Sequence, residues 1–253
     1  MMWNLPPPPG FQGLRDDLPL EIYVRHLPHW RQDGATYFVT FRLDDSLPQS
    51  KLHELDGLRR EWEARHPPPH SKDALEELAR LTSTRVEAWL DEGQGGCVLK
   101  EAELAAHVIR GMHHFDGVRY ELDAYVVMPN HVHAIVRPTQ PREHPLELVL
   151  KSWKQFSATQ INKWIKSGMG IAGGTGLLAR RTSRRAGKPV LNGGGPLWQD
   201  ESYDRIIRDC EHLDRCLQYI GANPRKAGLS NAAVARWVRP EWIALGWQFR
   251  DET

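Results

Sequence analysis

Hydrophobic spacing along the chain divides it into regular elements. Residues 36–43, Thr36-Tyr37-Phe38-Val39-Thr40-Phe41-Arg42-Leu43, are rich in β-branched and aromatic side chains with no breaker, and predict a strand. Residues 50–65 and 72–92 carry apolar positions at helical spacing, interrupted by His66-Pro67-Pro68-Pro69-His70, with Trp62 and Trp89 placed to anchor the two helices to a core. A further helix is expected over 99–113. Segments 120–127 and 131–136 read as strands joined by Met128-Pro129-Asn130, a turn-forming link that suggests an antiparallel hairpin. Residues 146–165 are amphipathic and helical. Residues 168–195 are rich in Gly and Arg, too long for a tidy connection, and expected to be partly disordered without a ligand. A short strand within 197–207 and a helix over 211–220, stopping near Pro224, complete the pattern.

The resulting order is strand, helices, strand, strand, helix, strand, helix. It predicts an α+β fold: a ferredoxin-like split β-α-β antiparallel sheet with helices on one face, followed by a C-terminal helix that carries Tyr219. One domain over 30–230 is expected, with a helical insertion at 50–104, a Gly/Arg-rich loop at 168–195, an extended and mobile leader at 1–29 containing Pro6 to Pro9, and a tail at 231–253. No internal repeat is visible.

Composition adds limits. With 253 residues, 40% apolar and 26% charged, the chain can bury a substantial core as an ordinary globular protein. No apolar run approaches the roughly 20 residues needed to cross a bilayer, and the N-terminus lacks the charged and apolar regions of a signal peptide, so a cytoplasmic protein is expected. Cys97, Cys210 and Cys216 form no CxxC pair and read as reduced packing thiols. The formal net charge of +1 announces no partner, but its distribution is uneven. Residues 51–104 hold twelve acids against eight bases, whereas 151–190 hold no acid and nine bases: Lys151, Lys154, Lys163, Lys166, Arg180, Arg181, Arg184, Arg185 and Lys188. Such a run is either a solvated face or an electrostatic footprint for a phosphate backbone. Lys151, Lys154, Arg180, Arg181, Arg184 and Arg185 are the candidate nucleic-acid phosphate contacts it offers, joined by Arg205 and Arg208 just after Tyr203.

Candidate chemistry begins with His131 and His133. On a strand, side chains at i and i+2 leave the same face about 7 Å apart, so the two imidazoles point one way while Val132 enters the core. Two imidazoles can share a metal but do not complete its shell; another element must add a ligand, and open positions are what a catalytic metal needs. An isolated HxH reads first as two solvent-facing residues beside an edge strand; the Pro129-Asn130 just before it, the apolar Val127-Met128 lead-in and a downstream helix with its own polar pair favour the metal reading. Tyr219 and Asn223 are four apart, which places them on one face of a helix, with Asn223 able to join the histidines as third ligand. A tyrosine hydroxyl, with an unperturbed pKa near 10, needs a polarised target or a proton acceptor to act as a nucleophile; the competing reading is a core residue beside Leu213, Leu217 and Ile220. Tyr203 is a rival nucleophile, but Ile207 stands where a polar partner would be needed. Trp198 is expected in the core. The chain has no GxxxxGK[ST] phosphate loop, so no nucleotide cofactor is expected.

Four segments in order carry a resemblance: Tyr125-Val126-Val127-Met128-Pro129-Asn130-His131-Val132-His133; Leu197-Trp198-Gln199; Tyr203-Asp204-Arg205-Ile206-Ile207-Arg208; and Tyr219-Ile220-Gly221-Ala222-Asn223-Pro224-Arg225-Lys226-Ala227-Gly228-Leu229. Together they resemble the single-tyrosine His-hydrophobic-His transposases, in particular the branch called repetitive-extragenic-palindrome-associated tyrosine transposases. The resemblance spans roughly residues 30 to 230. It implies His131, His133 and Asn223 as metal ligands, Tyr219 as nucleophile, and magnesium or manganese as the ion. It also implies a single-stranded, hairpin-bearing DNA partner cleaved and rejoined through a 5′-phosphotyrosine, by a monomer or homodimer. Two other readings stay open. One is a host-retained, non-catalytic hairpin-DNA-binding regulator; the other is an HxH metallohydrolase, which would need further His and Asp ligands where only His144 and His212 follow His133.

Overall fold

The computed structural model describes residues 5–25, 27–167 and 196–250, together with the backbone of the short strands β6 (Arg184–Arg185) and β7 (Lys188–Pro189). Its centre is a five-stranded, wholly antiparallel sheet in the order β8-β3-β5-β4-β9. The strands are β3 (Tyr37–Arg42), β4 (Tyr120–Val127), β5 (His131–Pro138), β8 (Tyr203–Ile206) and β9 (Ala235–Val238). The first four are ordered as a split β-α-β unit requires: β3 and β4 are linked through α3 (Ala102–His113), and β5 lies between them. The α+β sheet expected from the hydrophobic pattern is therefore present, and 36–43, 120–127, 131–136 and 146–165 fall on the elements predicted for them, the last as α4 (Leu146–Lys166).

Two helices, α3 and α4, share one face of the sheet, and the further C-terminal helix covers the other. Tyr37, Val39 and Phe41 of β3 and Val132, Ala134 and Val136 of β5 pack against α3 and α4 through Leu104, Val108, Met112, Val149 and Trp153. The alternate positions are also apolar: Phe38, Ala124, Val126 and Ile135 meet Leu213, Cys216, Leu217 and Ile220 of α5 (Cys210–Lys226). Strands apolar at both parities must be buried on both sides. The parity changes within β4 at a bulge between Leu122 and Ala124, where buried Asp123 accepts from Arg239 Nε at 3.2 Å.

Three boundaries differ from expectation. Helix α5 runs beyond the expected end at Ile220, through Pro224 to Lys226. Asp209 caps its start by accepting from the His212 amide, and Gly228, at φ +68°, ends it. Residues 231–250 are no free tail, since β9 pairs along the outer edge of β4, which would otherwise leave a row of unpaired backbone groups. The proline run is docked, with the indole N–H groups of Trp247 and Trp242 donating to the carbonyls of Pro6 (2.9 Å) and Pro9 (3.2 Å). A hairpin of β1 (Glu21–Val24) and β2 (Pro28–Arg31) follows it.

The insertion contributes α1 (Gln49–Arg65) and α2 (Lys72–Asp91). Trp62 and Trp89 are both buried, as their spacing predicts. Val86, Trp89 and Leu90 of α2 form a satellite cluster with Leu47, against which Tyr203 is partly buried. Helix α2 thereby lies across the α5 side of the sheet. No helix among the described residues is long and apolar enough to cross a membrane.

Candidate active site

Strand register builds the site. Arg42 stands opposite His131, Thr40 opposite His133 and Phe38 opposite Ile135, all on the face that α5 covers. Directly opposed side chains on neighbouring strands are within contact distance, and Thr40 Oγ1 lies 2.8 Å from His133 Nδ1. On the other histidine, Nδ1 lies 2.7 Å from Asn130 Oδ1. The Asn130 amide is itself oriented, because its Nδ2 donates to the carbonyls of Leu90 (3.3 Å) and Gln94 (3.1 Å) at the end of α2. Oδ1 is thus the acceptor, His131 Nδ1 carries the proton, and His131 Nε2 is left with a lone pair.

That lone pair faces His133 Nε2 at 3.0 Å. Both imidazoles are 0% exposed, and burial holds both neutral: the pKa of His131 falls to about 3 and that of His133 well below its ordinary value, the latter with help from His131, Arg205 and Lys226. Neutral histidine is the form that binds a cation. Asn223 reaches the same point from α5, its Nδ2 lying 3.4 Å from His133 Nε2 and 3.4 Å from Asp91 Oδ1. Its Oδ1 is buried and has no hydrogen-bond partner. Two imidazole nitrogens on one point and an orphaned amide oxygen beside them form a donor set that fits one divalent ion.

Tyr219 lies one turn before Asn223 on α5, with its ring 5.1 Å from that of His133 and 5.9 Å from that of Phe38, edge-on to both. The Lys226 ammonium stands 4.4 Å from the centre of the Tyr219 ring. Its hydroxyl is buried without a hydrogen bond of ordinary geometry. Burial first, then the negative charges of Glu87 and Asp91, push its pKa far above that of a free phenol.

The other residues singled out from sequence separate into groups. Arg205 reaches the site: it pairs across from Phe38, and its guanidinium lies 4.6 Å from the Phe38 ring centre. Arg208 lies nearby, bonded to Glu76 at 2.8 Å. Lys151 and Lys154 are on α4, against the opposite face. Lys151 is exposed, whereas the Lys154 ammonium donates to the carbonyls of Gln199 and Asp200 at 2.9 Å, and burial lowers its pKa to about 8. Arg180 and Arg181 lie outside the described residues; Arg184 and Arg185 form β6, and their side chains lie outside as well. Tyr203 packs beside the α2 cluster with its pKa raised to about 12 by burial, and Trp198 is buried with its indole bonded to Ser157 Oγ at 2.9 Å. Thr40, Glu87, Asp91 and Lys226 also stand at the site, though no motif in the sequence marks them. Asn130, which the sequence marks only by its place before His131, orients that imidazole.

A cavity of about 640 Å³ adjoins this set between α2 and β8. Phe38, Thr40, Glu87 and Arg205 are among its lining residues, as are Arg80 and Arg215.

No protein-family model and no curated protein matches the chain. Among solved structures, a similarity covering 82% of this chain and 74% of the other is found to a structure described as a REP-associated tyrosine transposase bound to a REP hairpin, at 14% identity and a TM-score of 0.31.

Proposed function

We propose that this protein is a metal-dependent endonuclease and strand transferase, a transposase that acts on single-stranded, hairpin-forming DNA through a 5′-phosphotyrosine. The observation that supports it most is the convergence on one buried point of His131 and His133 from β5 with Asn223 from α5, one turn beyond Tyr219. Core packing alone gives no reason to bury two neutral imidazoles with their nitrogens face to face.

His131, His133 and Asn223 would hold the ion, magnesium or manganese, which when bound would draw charge from the scissile phosphate. The chain's own groups do the rest. Tyr219 Oη attacks phosphorus, the bond from phosphorus to O3′ breaks, and a free 3′-hydroxyl leaves. Arg205 and Lys226 place positive charge beside the reacting phosphate, and Phe38 limits the Tyr219 ring to one approach. Bond energy is kept in the phosphotyrosine, so attack by another 3′-hydroxyl rejoins strands without a nucleotide cofactor.

The test is covalent trapping on a labelled hairpin oligonucleotide with manganese or magnesium present. The parent should form a denaturant-resistant adduct that maps to Tyr219. Tyr219→Phe should bind the hairpin but form none, whereas Tyr203→Phe should still form one. An adduct on Tyr203, or one surviving in Tyr219→Phe, would overturn the assignment. Hairpin binding with no adduct in the parent under any metal would favour a regulator over an enzyme.

A further inference from the structure

Helix α2 belongs to the insertion, yet it faces the catalytic set. Glu87 and Asp91 are one turn apart on α2, just as Tyr219 and Asn223 are one turn apart on α5, and the two pairs meet in step. Asp91 Oδ1 is 3.4 Å from Asn223 Nδ2, and the Glu87 carboxylate sits beside the Tyr219 hydroxyl. Glu87 also lines the adjoining cavity, together with Phe38 and Arg205.

A phenol in this position has a difficulty that the histidines do not solve. It is held neutral by burial and by two nearby carboxylates, and hydroxide is too scarce at neutral pH to remove its proton quickly. We propose that Glu87 is the proton acceptor for Tyr219, so that the insertion helix supplies a catalytic residue for strand cleavage. The inference rests on the reading of Tyr219 as nucleophile. In the step, Tyr219 Oη bonds to phosphorus as its proton passes to a Glu87 carboxylate oxygen, and the bond from phosphorus to O3′ breaks. The departing O3′ takes a proton from water, and Glu87 later releases its proton to solvent, so charge and protons balance.

The groups facing Glu87 are Arg205 from β8, Lys226 and Tyr219 from α5, and Asp91 from its own helix. Burial and Asp91 favour its neutral form, Arg205 and Lys226 its charged form, and the balance lies above the ordinary carboxylate range. A carboxylate so placed is a stronger base than a free one.

Glu87→Gln keeps the shape but cannot accept the proton. Adduct formation on a labelled hairpin, measured from pH 5 to 9.5 beside hairpin affinity, should fall at pH 7 by about 10²- to 10⁴-fold. The lost rate should return with pH at a slope of one, where the parent levels off, while hairpin affinity stays within threefold. A variant within twofold of the parent would overturn the inference, as would a slower one that keeps the parent's pH profile, which would mark Glu87 as structural only. The parent alone gives a second test should the variant fail to fold. Its rate must level off above the ionisation of the carboxyl, and a climb of slope one through pH 9.5 would exclude Glu87 as acceptor. If the parent forms no adduct at all, the Tyr219 reading has failed, a result distinct from a parent that reacts and a variant that reacts equally well.

Discussion

Asp204→Asn should cost the protein about 3 kcal/mol of stability, and the loss should depend on pH. Asp204 lies on the opposite face of β8 from Arg205, with its side chain 2% exposed. It receives Arg31 Nη1 at 2.5 Å and His29 Nδ1 at 2.6 Å; Arg31 continues to Glu147, and His29 Nε2 to Glu201 at 3.0 Å. Breaking a buried pair by neutralising one partner typically costs about 3–5 kcal/mol. The lower end applies because Glu147 and Glu201 remain to Arg31 and His29. For a chain of this size that corresponds to about 6–12 °C in Tm. Burial works against a charged His29, but the hydrogen bonds it donates to Asp204 and Glu201 outweigh it and bring its pKa up to about 9 from 6.5. A raised histidine contributes stability that is fully present below about pH 6.5 and lost as pH climbs through 9, a swing of about 3 kcal/mol at most. Burial also works against an ionised Asp204, but Arg31 and His29 hold its pKa below the ordinary carboxylate range, so its own contribution fades only in acid. Urea unfolding of parent and variant at pH 6.5 and 9.5 measures both effects. The gap between them should narrow by at least about 1 kcal/mol at the higher pH as the His29 share disappears. A gap under about 1 kcal/mol, or one equal at both pH values, would show that the network does not hold β8 as argued.

Two further outcomes concern the ion and the strand. His131→Ala and His133→Ala should each abolish adduct formation and lose any rise in Tm on adding manganese; parent-rate cleavage by both variants in the presence of a chelator would remove the metal from the mechanism. Changing Arg180, Arg181, Arg184 and Arg185 together to Ala should weaken binding to single-stranded DNA and flatten the slope of log affinity against log salt by about three if all four contact phosphates; an unchanged slope would return this run to a solvated face.

What sequence alone could supply is clearest on β5. Period-two alternation puts His131 and His133 on one face; the structure adds that the strand is central, with β3 and β4 flanking it and fixing the imidazoles. The same alternation did not reveal that the histidine face is itself buried. Phe38, Ala124, Val126 and Ile135 are apolar at the opposite parity, and it is their apolar surface that α5 covers. Pro224 misled for a local reason: a proline normally ends a helix because it removes an N–H, but here burial of Ile220, Asn223 and Pro224 and the glycine at 228 set the boundary instead.

Long-range pairing was the least legible. The acidic balance of residues 51–104 identified charge but not which carboxylates turn inward, because Glu87 and Asp91 are ordinary members of a helix until α2 is laid across β5. Lys154 shows the converse. It stands in an acid-free stretch that suggested a phosphate contact, yet its ammonium joins α4 to the Gln199–Asp200 backbone, and a charge already committed to two carbonyls on the opposite face has little left for DNA. Composition marks where charge is plentiful. Three different placements decide which charges stand beside Tyr219: strand pairing brings Arg205, two turns of α5 bring Lys226, and the packing of the insertion helix brings Glu87.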